Sequence, residues 1–412
     1  MNLLSFFQSL PVCRNKFAVA VCLSAVAVRL AALLFYDGVS QDYYWEYGEI
    51  AKNVKNGKGY ALWYYEGEHL EHRYSAATRP HTSAYMPPGY PAVLLPFLAI
   101  DNISLRNFIF YGLQALLIVP AIMCLWRLSL RLFGRQAAQI AVLSLAFLPE
   151  FIYSSLSAGP TALYHLFTLM LLSMLVRRNE ISVKTIIFWG ILCGTTIYLR
   201  SEFALYSISL FFIFALRLGI KCACTFGAVV ILLIAPWQIR NYINFGRVIP
   251  MTTSSGLNLY RGHNPEFIGS WGDSVMIREI AKYKNAPDFE VKMNDIYLCE
   301  AAKFILKHPL QEARYTLEKI THLWLLNPSD KRTLHPAYIV PWIVTLCCFA
   351  VGFFIKPNKF YDAIPLYIFW GASTVVCIIF FALPRYQILL KPAILPFAAA
   401  GALKIYYFFS KK

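Results

Sequence analysis

Residues 88–100 read PGYPAVLLPFLAI, and the fold turns on whether this stretch crosses a membrane. It is apolar, but it holds only thirteen residues, three of them prolines (Pro88, Pro91 and Pro96). A spanning helix needs about 20 apolar residues, and each interior proline removes a backbone hydrogen bond. The stretch therefore reads as a re-entrant or interfacial helix. Ten other runs come closer to spanning length: 17–36, 106–126, 137–153, 160–176, 184–200, 203–218, 222–237, 337–355, 361–383 and 387–409.

The cations decide how these runs are counted. With Arg14 and Lys16 placed in the cytoplasm, alternate short connections carry Arg127, Arg131 and Arg135, then Arg177, Arg178 and Lys184. Arg217 and Lys221, Lys356 and Lys359, and finally Lys411 and Lys412 follow in the same phase. Every cytoplasmic loop is then basic, as the positive-inside rule requires. Counting 88–100 as a span destroys that agreement. The same phase places two long polar loops, 37–105 and 238–336, on the outer side. Loops of that length are uncommon unless they carry function, so the working surface is expected outside.

Composition agrees. Of 412 residues, 58% are hydrophobic and 15% charged, more apolar surface than a soluble core of this size buries. The net charge of +16 is scattered in small groups between apolar runs and forms no basic face, which excludes a nucleic-acid partner. Cys22, Cys124, Cys193, Cys347, Cys348 and Cys377 lie inside apolar runs and act as small hydrophobes. Cys299 stands in a polar loop without an obvious mate, so no disulfide framework is expected. No small-residue cleavage site follows the first span, which argues against a cleavable signal peptide. A Walker loop and GxGxxG are absent, so a nucleotide site is not expected.

The first outer loop opens with Asp42, followed by Tyr43, Tyr47, Ile50, Ala51 and Val54 at helical spacing. This predicts an amphipathic surface helix ended by Asn56-Gly57 and Gly59. Asp42 then has two readings: an N-cap carboxylate on the helix dipole, or a catalytic base at the membrane boundary. Arg200, Arg240 and Arg385 fall at outer span ends, a side that normally avoids arginine. A guanidinium fork suits phosphate; the alternative is snorkelling, with Glu202 beside Arg200. Trp237 and Trp271 suit sugar stacking or interfacial anchoring. Glu68-His69 and Glu71-His72 look superficially like metal ligands but have no supporting spacing elsewhere.

Taken in order, these pieces resemble the GT-C superfamily of membrane glycosyltransferases. The likeness is to family 39, the protein O-mannosyltransferases and lipid A aminoarabinose transferases. It rests on Asp42-Tyr43-Tyr44 with Ala51, Asn53, Gly57, Gly59 and Tyr60, on Tyr85-Met86-Pro87-Pro88-Gly89-Tyr90-Pro91, and on Gly194 through Arg200-Ser201-Glu202. Pro236-Trp237 through Arg240-Asn241-Tyr242, Gly256-Leu257-Asn258, Gly262-His263-Asn264-Pro265 and Pro384-Arg385-Tyr386 extend it. The resemblance implies one membrane-embedded, all-α domain over 1–412 with about 10 transmembrane helices. Loop 37–105 would be catalytic, and 238–336 the acceptor side, with helices near 290–307 and 309–326. The implied activity is inverting transfer of a sugar from a polyprenyl-phosphate donor to an extracytoplasmic glycolipid, polysaccharide or protein, at a bacterial inner membrane.

In such enzymes an aspartate in the place of Asp42 activates the acceptor. Arg200, Arg240, Arg385 and Arg79 would bind the donor phosphate, and Tyr43, Tyr85, Pro88, Tyr90, Glu202 and Asn241 would line the cavity. One base suffices, because a lipid phosphate leaves as a stable anion whereas a glycosidase leaving group needs an acid. Two departures matter. Tyr153 through Pro160 lacks the acidic residue relatives often carry there, Glu150 being only near it, so a divalent metal is a possible but doubtful cofactor and no cofactor is certain. Met86 replaces a lysine of the aminoarabinose transferases, with Arg79 and His81 the nearest cations. A lipid-linked sugar flippase would instead show repeated halves and midplane charges, and a polymerase or ligase of another membrane fold would not need Asp42 with PPGYP.

Overall fold

The structure is a computed structural model that describes residues 16–42, 45–176, 181–266, 277–328 and 330–410. Helix α1 (Lys16–Leu34) leads into the first long loop. That loop holds α2 (Glu46–Lys55), the hairpin β1 (Tyr64–Glu66) and β2 (His69–Glu71), and α3 (Gly89–Leu94). A first bundle follows: α4 (Ile103–Leu116), α5 (Ile118–Phe133), α6 (Arg135–Phe147), α7 (Pro149–Leu156) and α8 (Thr161–Leu175). It continues with α9 (Val183–Leu199), α10 (Phe203–Leu218) and α11 (Ile220–Phe245). The second long loop holds α12 (Ser255–Gly262), α13 (Ile277–Ala281), α14 (Phe289–Lys307) and α15 (Pro309–Trp324). Helices α16 (Pro336–Phe353), α17 (Phe360–Ile379) and α18 (Pro384–Ser410) close the chain.

This is an integral, multi-pass membrane protein with an all-α body. Six helices among the described residues are long and apolar enough to cross a bilayer: α1, the continuous rod Ile103–Phe133, α11, α16, α17 and α18. The pair α6–α7, bent by 48°, adds a seventh if counted as one span, and α8, α9 and α10 are shorter apolar helices. Residues 88–100 form the six-residue α3 and a three-residue 3-10 turn, Phe97–Ala99, too short to cross.

The bend corrects the expectation of a straight span over 137–153. Pro149 has no N–H to give and begins a new helix, so the last carbonyls of α6 lose their partners. Arg29, fully buried on α1, supplies them. Its Nη atoms donate to Ala146 O at 2.7 Å and Leu145 O at 3.3 Å, and its Nε donates to Ser155 Oγ at 3.1 Å. A guanidinium inside an apolar span is costly unless bonded; here it lies at the negative end of a helix dipole. Helices α16 and α18 meet backbone to backbone. A Cβ on Gly352 would lie 1.9 Å from Phe397 O, and one on Gly401 would lie 1.8 Å from Cys348 O, so both positions require glycine.

The two ends of the bundle differ. At one end the helices turn tightly at Gly134 and Gly219, both at positive φ, and Arg131 Nε donates to Asp362 at 2.8 Å. Arg217 joins this end, its guanidinium 5.3 Å from the Tyr361 ring centre. At the other end the two long loops share a small core of Ile50, Leu62, Tyr85, Leu257, Phe289 and Tyr297. Buried Glu290 latches them together: it accepts from Ser83 Oγ and Ala84 N, each at 2.6 Å, and from Thr253 Oγ1. Both long loops thus meet at one end of the bundle.

Candidate active site

Asp42 follows the 3-10 turn Asp37–Ser40 that ends the first span. Buried Asn107 on α4 holds this segment, its Nδ2 donating to Val39 O at 3.0 Å and Gln41 O at 2.5 Å. Asp42 is not the cap of α2, whose N-cap position falls on Trp45. Its carboxylate instead meets two cations: Oδ1 accepts from Arg106, and Oδ2 lies 2.9 Å from Lys52 Nζ. Lys52 also reaches Glu49 Oε1 at 3.0 Å, and Glu49 Oε2 accepts from Tyr74 N at 2.5 Å. One ammonium therefore bridges two carboxylates. Asp42 keeps 42% of its side-chain surface and lines an open cavity of about 510 Å³ with Gln41, Glu49, Lys52, Arg73 and Tyr74.

Arg200 is the centre of a second group. It caps the C-terminus of α9, its Nε donates to Glu202 Oε1 at 2.5 Å, and its guanidinium lies 5.7 Å from the Tyr386 ring centre. Arg385, exposed, lies 5.4 Å from the same ring. Tyr47 of α2 joins them: burial pushes its phenol up to about 12, while the charges of Arg200 and Arg385 pull it down and Glu202 and Glu46 push it up. Tyr90 packs edge-on to Tyr47 at 5.4 Å. Glycine is required at 89, because a Cβ there would lie 2.6 Å from Tyr198 O; this seats α3 beside the end of α9. The PPGYP motif thus positions Arg200 from behind, with Pro88 at the N-cap of α3.

Other expected site residues lie elsewhere. Arg240 donates to Ser83 O at 2.6 Å, Tyr60 O at 3.0 Å and Asn241 Oδ1 at 3.0 Å, so it pins the first loop. Trp237 belongs to that pin, packing on Tyr60 at 4.9 Å and donating to Met251 O at 2.7 Å. Tyr85 is buried in the shared core against Trp63, and Tyr90 and Asn241 are fully buried. Of the expected cavity residues, Glu202 lines a small cavity with Tyr164, Cys377 and Tyr386. Arg79 is exposed on the loop after β2, and His81 stacks on Phe289 at 4.8 Å. Tyr43 and Trp271 lie outside the described residues. Glu150 turns inward to an ion pair with buried Lys391. Among the described residues no group of three His, Cys, Asp or Glu side chains could hold a metal. Asp42 and Glu49 are moreover already neutralised by Lys52 and Arg106, so this donor set does not fit a divalent ion.

The architecture is similar to that of the Archaeoglobus fulgidus oligosaccharyltransferase in complex with Zn and sulfate. The TM-score is 0.56 at 15% identity, over 96% of this chain and 49% of that one. It is also similar to oligosaccharyltransferase AglB from the same organism in complex with an inhibitory peptide and a dolichol-phosphate. There the TM-score is 0.51 at 12% identity, over 96% and 52%. A match to ArnT from Cupriavidus metallidurans bound to undecaprenyl phosphate has a TM-score of 0.37 at 14% identity, over 93% and 77%. The chain shares the fold of these oligosaccharyltransferase structures, and it spans about half their length. Residues 86–239 match the family model described as dolichyl-phosphate-mannose-protein mannosyltransferase. That stretch takes in Tyr90, Arg200 and Glu202 and leaves Asp42, Arg240 and Arg385 outside. No curated protein matches the chain in sequence.

Proposed function

We propose that this protein is an inverting glycosyltransferase that moves a sugar from a polyprenyl-phosphate donor to a hydroxyl-bearing acceptor outside the cytoplasm. The observation that carries the reading is the meeting of Arg200 and Arg385 at the face of Tyr386, beside Tyr47 of the loop that bears Asp42. In this reading Arg200 and Arg385 hold the donor phosphate. Among the described residues only Nε of Arg200 is engaged by a hydrogen bond, which leaves its two Nη donors to an anion. Hydrogen bonds to charged groups contribute about 1.5–3 kcal/mol each. Asp42 takes the acceptor proton. Its carboxylate lines the open cavity and is held in place by Arg106 and Lys52.

The acceptor oxygen forms a bond to the anomeric carbon as that carbon's bond to the phosphate oxygen breaks. The electron pair leaves with the phosphate, and the configuration inverts. A lipid phosphate needs no proton to depart, which is why one carboxylate serves. The donor chain supplies affinity from the bilayer side, at about 0.8 kcal/mol per buried methylene. No step runs through a metal. The acceptor chemistry stays at the level of glycolipid, polysaccharide or protein hydroxyl.

The test is transfer of radiolabelled sugar from polyprenyl-phosphate donors by the full chain in nanodiscs, with anomeric configuration read by NMR. Transfer with inversion supports the reading; transfer with retention rejects the mechanism. Passage of labelled lipid across vesicles without transfer shows a flippase instead.

A further inference from the structure

The outer end of α17 is capped by residues of the second long loop, and this cap brackets Arg385 and Tyr386. A helix leaves its last carbonyls without partners. Here two consecutive ones are met from far away in the chain. Ile378 O accepts from Lys319 Nζ at 3.1 Å, and Ile379 O lies 2.8 Å from His263 Nε2. A Cβ on Gly262 would lie 1.6 Å from Phe380 O, so only glycine lets the loop come this close. Glu312 holds the other side of the imidazole, its Oε2 2.6 Å from Nδ1.

Charge fits the place. Lys319 on α15 is fully buried, and its Nζ lies 3.0 Å from His263 Nε2. Burial pushes Lys319 down to about 8, against the opposing pull of Glu312. Burial and the neighbouring lysine likewise lower His263. Lys319, His263 and the Glu312 carboxylate thus sit together at the negative end of the α17 dipole.

A second clamp faces the first. Gln387 on α18 donates through Nε2 to His322 O at 2.9 Å, Leu323 O at 3.0 Å and Leu325 O at 2.9 Å, which caps the end of α15. Thus α15 caps α17 through Lys319, and α18 caps α15 through Gln387. Arg385 and Tyr386 are strung between the two. Leu323, one turn beyond Lys319 on α15, lines the same small cavity as Glu202, Cys377 and Tyr386.

We propose that Lys319, with His263, is a positioning residue that fixes Arg385 and Tyr386 against Arg200. This rests on the reading of Arg200 as a donor-phosphate ligand. Two measurements on the full chain in nanodiscs test it. In the first, Lys319→Met is expected to raise backbone hydrogen exchange across 380–388 while leaving α8 and α9 unchanged. Unchanged exchange there rejects the cap whether or not the protein transfers sugar. The second is a double-mutant cycle with Arg200→Gln on kcat/KM for the polyprenyl-phosphate sugar. Lys319→Met alone is expected to cost about tenfold, and far less once Arg200 is already gone, because positioning acts through that residue. Equal losses in both backgrounds overturn the proposal and leave a purely structural cap. Should Lys319→Met fail to fold, His263→Leu carries both readouts. A wild-type protein without transfer or affinity for polyprenyl phosphate rejects the functional reading instead, and the exchange result still judges the cap.

Discussion

The Asp42 group and the Arg200 group are both built from paired charges, yet their surroundings are opposite. Asp42 stands in an open cavity with two cations on its oxygens, at 42% side-chain exposure. Arg200 is 13% exposed, with one carboxylate and an aromatic face for company. Water weakens a pair in the first setting and strengthens its turnover; a low dielectric makes each charge count more in the second. In the proposed function, a base that must meet a changing acceptor belongs in the open group, and a ligand for a fixed phosphate in the closed one. The α2 helix joins the two, following Asp42 in the chain and presenting Tyr47 to Arg200.

Removing the proposed base breaks the comparison hardest. Asp42→Asn keeps the shape and loses the proton acceptor, so kcat is expected to fall by about 10²- to 10⁴-fold with donor affinity nearly intact. Steady-state transfer and polyprenyl-phosphate binding, measured side by side, check this; near-normal turnover rejects Asp42 as the base. Arg200→Gln is expected to do less and differently. Loss of charged hydrogen bonds worth about 1.5–3 kcal/mol predicts about a 10- to 100-fold fall in kcat/KM, carried by donor affinity. A pure kcat effect there would place Arg200 with the base rather than with the phosphate.

How far the sequence foretold this division depends on the distance over which each residue finds its partner. Hydrophobic runs marked the apolar helices, since that signal is local and repeats along the chain, although α11 runs on to Phe245, into the expected second loop. Asp42, Arg200, Glu202 and Arg385 stood at span ends and could be marked as charges in unusual places. Arg240 looked the same in sequence, but its neighbours are carbonyls of a loop some 160–180 residues earlier, which no periodicity encodes. Lys52 had a faint signal, lying three residues after Glu49 on one helix face. Arg106, Glu290, Lys319 and Gln387 act across long separations and left none. Pro149 was visible, yet the apolar run around it hid the bend that Arg29 stabilises.

The latch between the long loops gives a smaller effect, set by pH. Burial raises Glu290 from 4.5 to about 7, against the donors from Ser83, Thr253 and Ala84 and the charge of Arg240. A raised carboxyl favours the folded state when protonated. Its contribution is complete below pH 4.5 and is lost as pH rises through 7. The rise from 4.5 to about 7 corresponds to about 3 kcal/mol at 1.36 kcal/mol per unit. Hydrogen exchange at 83–85 is expected to increase between pH 5 and 8 in the wild type and to stay flat over that range in Glu290→Gln. Because the latch carries the loop that bears Asp42, activity at alkaline pH should fall with that exchange while polyprenyl-phosphate binding does not.

The smallest expected effect concerns what neutralises the open group. Two carboxylates close together normally call for a divalent cation, and Ca²⁺ or Mg²⁺ would take such oxygen ligands. Lys52 already stands between Asp42 Oδ2 and Glu49 Oε1, at 2.9 and 3.0 Å. Prolonged treatment with EDTA should therefore leave the wild-type rate unchanged. Lys52→Gln removes the internal cation and leaves the two acids facing each other. That variant should lose activity and regain part of it with added Mn²⁺, which the wild type ignores. A wild-type rate that collapses in EDTA would show that the ammonium and a metal compete for one place, and the two groups would then differ in cofactor as well as in exposure.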